Sequence, residues 1–261
     1  MGLLRKLAGH PEITVSEEDG VRYLHLGGDH IQSAMRIDQP DALELDYTRT
    51  MMAFLLLHPR PRDALMVGLG GGSIPKFIFR QLPGVRMRVV ELNPAVITAA
   101  RSMFNVPPNS ARLRIEPGDG ARAVHSLQAG CDLLIIDGFD DGNQVPELVS
   151  EAFYEAAYAA LRSPGVLVLN FFGHDRRFDR YLKRIEAAFQ GSVLCLNARE
   201  DGNVIVFAMK GAPRSIEWAE LRRCAAKLES KLDLPFPGYV SGLRKMNRWT
   251  RSALLIGPEQ E

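Results

Sequence analysis

The sequence predicts an α/β chain: a doubly wound, largely parallel sheet preceded by a small antiparallel β unit. Three observations carry this. From residue 64 onward, short apolar runs alternate with segments of helical spacing. The first of these runs, at 64–68, opens into the glycine-rich turn Gly68-Leu69-Gly70-Gly71-Gly72. The last two runs, 192–197 and 203–209, are separated by too few residues for a helix, so they are expected to pair directly as an antiparallel hairpin at the sheet edge.

Taken in order, residues 12–37 carry strand-like runs broken by the turn signals Glu18-Asp19-Gly20 and Gly27-Gly28-Asp29. Residues 42–57 change to helical spacing and stop before His58-Pro59-Arg60-Pro61, whose prolines break a helix. This places a boundary: a small N-terminal β unit with its linker helix over 1–58, and the main domain over 59–261. Strands are expected at 64–68, 86–91, 112–118, 132–138, 165–172, 192–197 and 203–209. Helices are expected at 74–81, 94–103, 120–128, 147–161, 175–190 and 213–232, and the Pro/Gly-rich remainder, 233–261, is expected to be irregular. Runs such as Ala64-Leu65-Met66-Val67 are almost continuously apolar, as in strands covered on both faces. The closing hairpin suits a Rossmann-like, class I methyltransferase-type sheet better than a dehydrogenase sheet.

Composition narrows the function. At 261 residues and 46% hydrophobic, the chain can bury a large core. A net charge of +1 argues against a protein that coats nucleic acid, and the basic run Arg244–Arg251 is expected to be a solvated or surface-contacting segment. Three widely spaced cysteines without a CxxC pattern read as reduced thiols and give no metal site. No run approaches the about 18 apolar residues of a membrane span, and the opening MGLLRKLAGHPEI is too briefly apolar for a signal peptide, so a cytoplasmic chain is expected.

The candidate site residues lie where the strands end. Ligands of open α/β sheets bind outside the carboxyl ends of strands. Gly68, Gly70 and Gly72 let backbone approach a ligand, or they simply make a tight strand-to-helix turn. Glu91 ends the second strand, about twenty residues after the glycine turn, where an acid can accept from ribose hydroxyls. Asp119, with Gly120 in the Gly118-Asp119-Gly120 turn, can accept from an adenine amine or cap the next helix. Asp137 follows four apolar residues, so it emerges from the core with a carboxyl whose pKa burial raises, as suits a general base. Asp140 and Asp141 follow it, and three acids in five residues suit a cation.

These motifs resemble the polyamine aminopropyltransferase (spermidine synthase) family over roughly residues 12–210. The resemblance is carried by Ile31-Gln32, the glycine turn, Val89-Val90-Glu91-Leu92-Asn93-Pro94, Gly118-Asp119-Gly120 and Ile135-Ile136-Asp137…Asp140. It implies a β-stranded N-terminal unit joined to a Rossmann-like domain. It also implies transfer of an aminopropyl group from decarboxylated S-adenosylmethionine to a small amine, in a homodimer. On it, Glu91 resembles the ribose-binding acid, Asp119 the adenine-binding acid, Asp137 the base, Asp140 a diamine-binding acid and Gln32 a donor-site glutamine; Tyr47 would orient the acceptor. Two departures mark a divergent branch. Gly71 stands where the family has an acid for the donor's amino tail, and Tyr47-Thr48-Arg49 replaces its Tyr-His-Glu. A sulfonium carbon is already activated, so this chemistry needs no metal. Two other readings compete: a methyltransferase using intact S-adenosylmethionine, its carboxylate tail paired with Arg49 or Lys76, and a non-catalytic adenosyl-ligand-binding protein.

Overall fold

The computed structural model describes residues 11–28, 31–140, 143–200 and 202–258, with 139, 140, 143 and 144 as backbone only. The N-terminal unit is an antiparallel sheet of β1 (Ile13–Glu18), β2 (Val21–Leu26) and β3 (Ile31–Arg36). Asp19 and Gly20, both at positive φ (48° and 76°), make the two-residue turn between β1 and β2. The expected linker helix is two short ones, α1 (Asp46–Met51) and α2 (Phe54–Leu57). They part because the amides of Met52 and Ala53 reach back three residues, to Arg49 and Thr50, instead of four.

The main sheet follows the predicted alternation: β4 (Asp63–Val67), α3 (Ser73–Gln81), β5 (Arg86–Glu91), α4 (Pro94–Met103), β6 (Leu113–Pro117), α5 (Gly120–His125) and β7 (Cys131–Ile136). After a short hairpin of β8 (Phe139–Asp140) and β9 (Asn143–Gln144) come α6 (Glu151–Ala160), β10 (Leu161–Phe172), α7 (Phe178–Ala188), β11 (Val193–Asn197) and β12 (Asn203–Lys210). The seven strands lie in the order β11-β12-β10-β7-β4-β5-β6. Only β12 runs against its neighbours, so the predicted antiparallel hairpin is present. Alternate residues feed two cores. Met66, Val89, Ile135, Val168 and Phe207 face α3, α4 and the C-terminal helices, while Leu65, Val90, Ile136, Leu169 and Val206 face α5, α6 and α7.

The C-terminal segment departs from expectation. It forms β13 (Ser215–Glu217), α8 (Trp218–Leu232), α9 (Phe236–Met246) and β14 (Ala253–Leu255), which pairs with β13. Its glycines and prolines are not breakers. A proline falls in the first turn of α9, where its missing N–H costs nothing. Gly242 lets α9 lie on β11: a Cβ there would stand 2.4 Å from Leu196 Cδ1. Asn247 completes the docking by exchanging hydrogen bonds with the backbone of Cys195, its Oδ1 accepting from the amide (2.7 Å) and its Nδ2 donating to the carbonyl (2.8 Å). The basic run is exposed, as expected of a solvated segment, with the Arg244 guanidinium 4.2 Å from the ring centre of Trp249.

Lys76, only 1% exposed, ties three segments together. From α3 its Nζ donates to Pro40 O (2.6 Å), in the segment after β3, and to Phe104 O (2.7 Å), at the end of α4. Burial lowers its pKa from 10.5 to about 8, with the Asp41 charge opposing. The neutral amine still has enough N–H groups for both carbonyls. Between about 8 and 10.5 the unfolded chain holds this proton and the folded chain does not, so this group's contribution to stability rises with pH. Denaturant melts of wild type and Lys76→Met are therefore expected to show wild type gaining on the variant through that window. A constant gap would show that Lys76 titrates normally.

Candidate active site

The tips of β4, β5, β6 and β7 meet at one edge of the sheet, as the sequence predicts. Gly68, at φ +90°, lies so close to the β7 tip that a Cβ on it would stand 2.2 Å from Asp137 O. Only glycine fits both that backbone angle and that approach. The strands on either side are stitched by Asp137 N donating to Val67 O (3.0 Å) and Gly68 N donating to Val90 O (2.9 Å). Gly70 lies beside Ser33 and Gln32 O of β3, Gly72 against Val106, and Gly120 against Val67. Thus β3 of the small sheet, with half-buried Gln32, borders the glycine turn. Gly71 is filled from outside: a Cβ there would stand 2.8 Å from Ser33 Oγ and 2.9 Å from Phe104 Cδ1. An acid at position 71 would have to displace both.

Glu91 is buried at the tip of β5. Its Oε2 accepts from Leu69 N and its Oε1 from Asn93 N, both at 2.8 Å, so the acid also holds the glycine turn in place. Beside it Leu92 is 60% exposed, an apolar side chain standing at the strand tip. Asp119 caps α5: its Oδ1 accepts from Arg122 N (3.1 Å), which realises the capping alternative. Its carboxyl remains about half exposed. Asp140 lies in β8, and its side chain falls outside the described residues, as does Asp141.

The centre of the arrangement is Asp137. Its Oδ2 accepts from the Tyr47 hydroxyl (3.4 Å) and its Oδ1 from Asn170 Nδ2 (3.0 Å). Asn170 Oδ1 in turn accepts from Asn203 Nδ2 (2.7 Å). Burial pushes the carboxyl from 3.8 up to about 6, while the hydrogen bonds from Asn170 and Tyr47 hold it down. A group ionised just below neutrality is poised to accept a proton. Neither asparagine was foreseen. Polar residues inside the apolar run Val166–Phe172 and at the start of Asn203–Met209 were the available signal.

The cations weighed for a carboxylate-bearing tail are both engaged elsewhere. Arg49 pairs with Glu200 Oε2 (2.9 Å) and Asp46 Oδ1 (3.6 Å), and Lys76 is spent on two carbonyls. The Arg49 charge, which would repel a dicationic acceptor, is matched by these acids.

Strand order and site together define a class I methyltransferase-type α/β domain carrying a small β sheet beside its ligand edge. The comparisons with known proteins narrow this. The spermine/spermidine synthase domain model matches residues 44–193. A polyamine aminopropyltransferase of Chromobacterium violaceum is 39% identical over 246 residues, covering 94% of each chain. The crystal structure of a spermidine synthase in complex with the transition-state analogue AdoDATO shares the fold, at TM-score 0.72 and 20% identity over 92% of this chain and 83% of that one. Human methyltransferase-like protein 13 in complex with SAH aligns at TM-score 0.65 and 26% identity over 74% of this chain and 94% of that one. The chain belongs to the spermine/spermidine synthase family and is a transferase.

The raised Asp137 pKa has a stability consequence. Between about 3.8 and 6 the folded carboxyl holds a proton that the unfolded one has lost. This group's contribution to stability therefore falls as pH rises through that window and stays low above it. Asp137→Asn is expected to melt a few degrees higher than wild type at about pH 7.5, the gap closing below about pH 4. An equal or lower melting temperature at about pH 7.5 would contradict the burial of an ionised carboxylate.

Proposed function

We propose that this chain transfers an aminopropyl group from decarboxylated S-adenosylmethionine to an amine acceptor, releasing methylthioadenosine, as a step of polyamine biosynthesis. Family membership supports the reaction class. The single observation that carries the chemistry is Asp137, a carboxyl with its pKa near 6, held against the glycine turn by backbone contact.

In this reading the donor's ribose lies on Glu91. Two backbone amides occupy part of that carboxylate, and an ionised carboxyl has about four lone-pair sites, so ribose hydroxyls can still be accepted. Leu92 offers an apolar face to the adenine, and Asp119, with Gly120, accepts from its amine while still capping α5. The backbone of Gly68, Gly70 and Gly72 forms the wall along the donor, and Gln32 closes it from β3. Tyr47 and Asp140 hold the acceptor. Asp137 takes a proton from the acceptor's ammonium and so frees the nitrogen lone pair, which attacks the carbon beside sulfur. The carbon–sulfur bond breaks with its electrons on sulfur, giving a neutral thioether, and the new secondary amine leaves as its ammonium. Orientation contributes about 7–11 kcal/mol, and a positioned base about 10²–10⁴-fold. No step calls for a metal. We further propose two units, 1–58 and 59–261, in a cytoplasmic homodimer.

The methyltransferase reading keeps the same donor edge but needs a partner for the donor's carboxylate. The engagement of Arg49 and Lys76 weighs against it.

The test is turnover with each donor against a panel of amines. Methylthioadenosine release from the decarboxylated donor is expected, and Asp137→Asn should lower kcat by about 10²-fold or more with little change in donor affinity. Glu91→Gln should weaken methylthioadenosine binding by about tenfold or more, the scale of a charge-assisted hydrogen bond. Release of S-adenosylhomocysteine from intact S-adenosylmethionine alone would favour methyl transfer. No turnover with any pair would favour a binding protein.

A further inference from the structure

Two amides sit where a sheet of this kind has apolar side chains. Asn170 interrupts β10 within Leu169-Asn170-Phe171-Phe172, and Asn203 begins β12; each is 4% exposed. A buried amide without a partner is costly, so the sense in which this pair is hydrogen-bonded matters.

The chemistry of the carboxylate sets the sense of these bonds. An ionised carboxylate only accepts hydrogen bonds, so Asn170 must turn its NH2 toward Asp137. Its carbonyl then points the other way and needs a donor, which is the NH2 of Asn203 at 2.7 Å. Turning Asn170 over would set its carbonyl against the Asp137 carboxylate, and turning Asn203 over would set two carbonyls face to face. Each bond thus fixes the sense of the next. The relay is anchored at both ends. Asn203 follows the β11–β12 turn, which α1 grips: Asp46 Oδ2 accepts from Arg199 N (2.6 Å) and Glu200 N (3.2 Å), and Arg49 pairs with Glu200. The other oxygen of Asp137 meets Tyr47, also on α1.

We infer that Asn170 and Asn203 are positioning residues for the transfer reaction: they commit Asp137 Oδ1 to the sheet and leave Oδ2, beside Tyr47, as the oxygen that meets the acceptor amine. The inference rests on the reading of Asp137 as the base. It adds a second effect. The Asn170 bond, like that of Tyr47, favours the ionised form and so counters burial, and Asn203 bears on it only by holding Asn170. Among the described residues, the groups bearing on that carboxyl are Asn170 from β10 and Tyr47 from α1, with Gly68 against the backbone. Asp46 and Glu200 of the gripping cluster both pair with Arg49, which leaves the cluster one net negative charge.

The test reads the base directly, without turnover. The Asp137 carboxyl carbon, labelled with carbon-13 and assigned by its loss in Asp137→Asn, is titrated by NMR in the full-length protein. Asn170→Leu is expected to raise its midpoint by about one pH unit or more. Asn203→Leu, which touches only the relay, is expected to raise it in the same direction by less. The double variant should match Asn170→Leu, because the second bond works only through the first. In turnover, both variants should lower kcat and move the acid limb of the pH profile upward, with the donor's KM little changed. If wild type shows no turnover but the midpoints move as described, the relay stands and the proposed reaction falls. If Asn170→Leu does not fold, the midpoint of Asn203→Leu decides alone. An unchanged midpoint in a folded Asn203→Leu overturns the inference, as does a double variant that shifts by the sum of the two singles.

Discussion

Everything at the ligand edge depends on one backbone contact, the approach of Gly68 to the main chain of Asp137. There is no room for a side chain between them, since a Cβ on Gly68 would stand 2.2 Å from the Asp137 carbonyl oxygen. The contact brings the turn after β4 and the tip of β7 into one rigid body. The amide of Gly68 then ties this body to β5 through Val90 O, and the Glu91 carboxylate ties it again through Leu69 N and Asn93 N. The glycine turn, the ribose-binding candidate and the base candidate are thus placed by main-chain geometry, which does not depend on loop flexibility.

That rigidity lets a carboxyl be held in an unfavourable place. Burial alone would push Asp137 toward its neutral form, and two donors hold it back. One of them, Tyr47, sits on α1, a helix of six residues that would be marginal in isolation, and the other, Asn170 of β10, is connected to α1 only by way of Asn203. Tyr47 reaches the carboxyl directly, and Asp46 and Arg49 hold the turn that leads to Asn203. The small sheet is locked to the same edge. Ser33 packs on Gly71, Ser73 Oγ donates to Ala34 O (3.3 Å), and Lys76 binds the carbonyls of Pro40 and Phe104. Stability is given up at one carboxylate, and packing on all sides offsets the loss.

The sequence made legible what is local. Apolar runs that end in glycine or acid mark strand tips, so Gly68, Glu91, Asp119 and Asp137 could all be set at one edge before any coordinates. The five residues between Asn197 and Asn203 leave no space for a helix, so the antiparallel hairpin followed from length alone. What depends on register across the sheet was not legible. Asn170 and Asn203 meet because β10 and β12 pair with Phe172 opposite Asn203, and no local pattern encodes that. Signals read as irregular also misled. Gly242 looks like a breaker and is instead what lets α9 reach Leu196, and a proline that reads as a stop begins that helix. Asp119 was left between two roles: it caps α5 through Oδ1, its Oδ2 lies 3.3 Å from Arg122 Nε, and the carboxyl stays about half exposed.

The most direct test of this account is a crystal structure of the protein with methylthioadenosine and a diamine bound together. The account predicts the ribose on Glu91, the adenine against Leu92, and one acceptor nitrogen about 2.6–3.2 Å from Asp137 Oδ2, the range a proton-accepting base requires. An acceptor nitrogen held by other groups, with no contact to Asp137 directly or through one water, would contradict it.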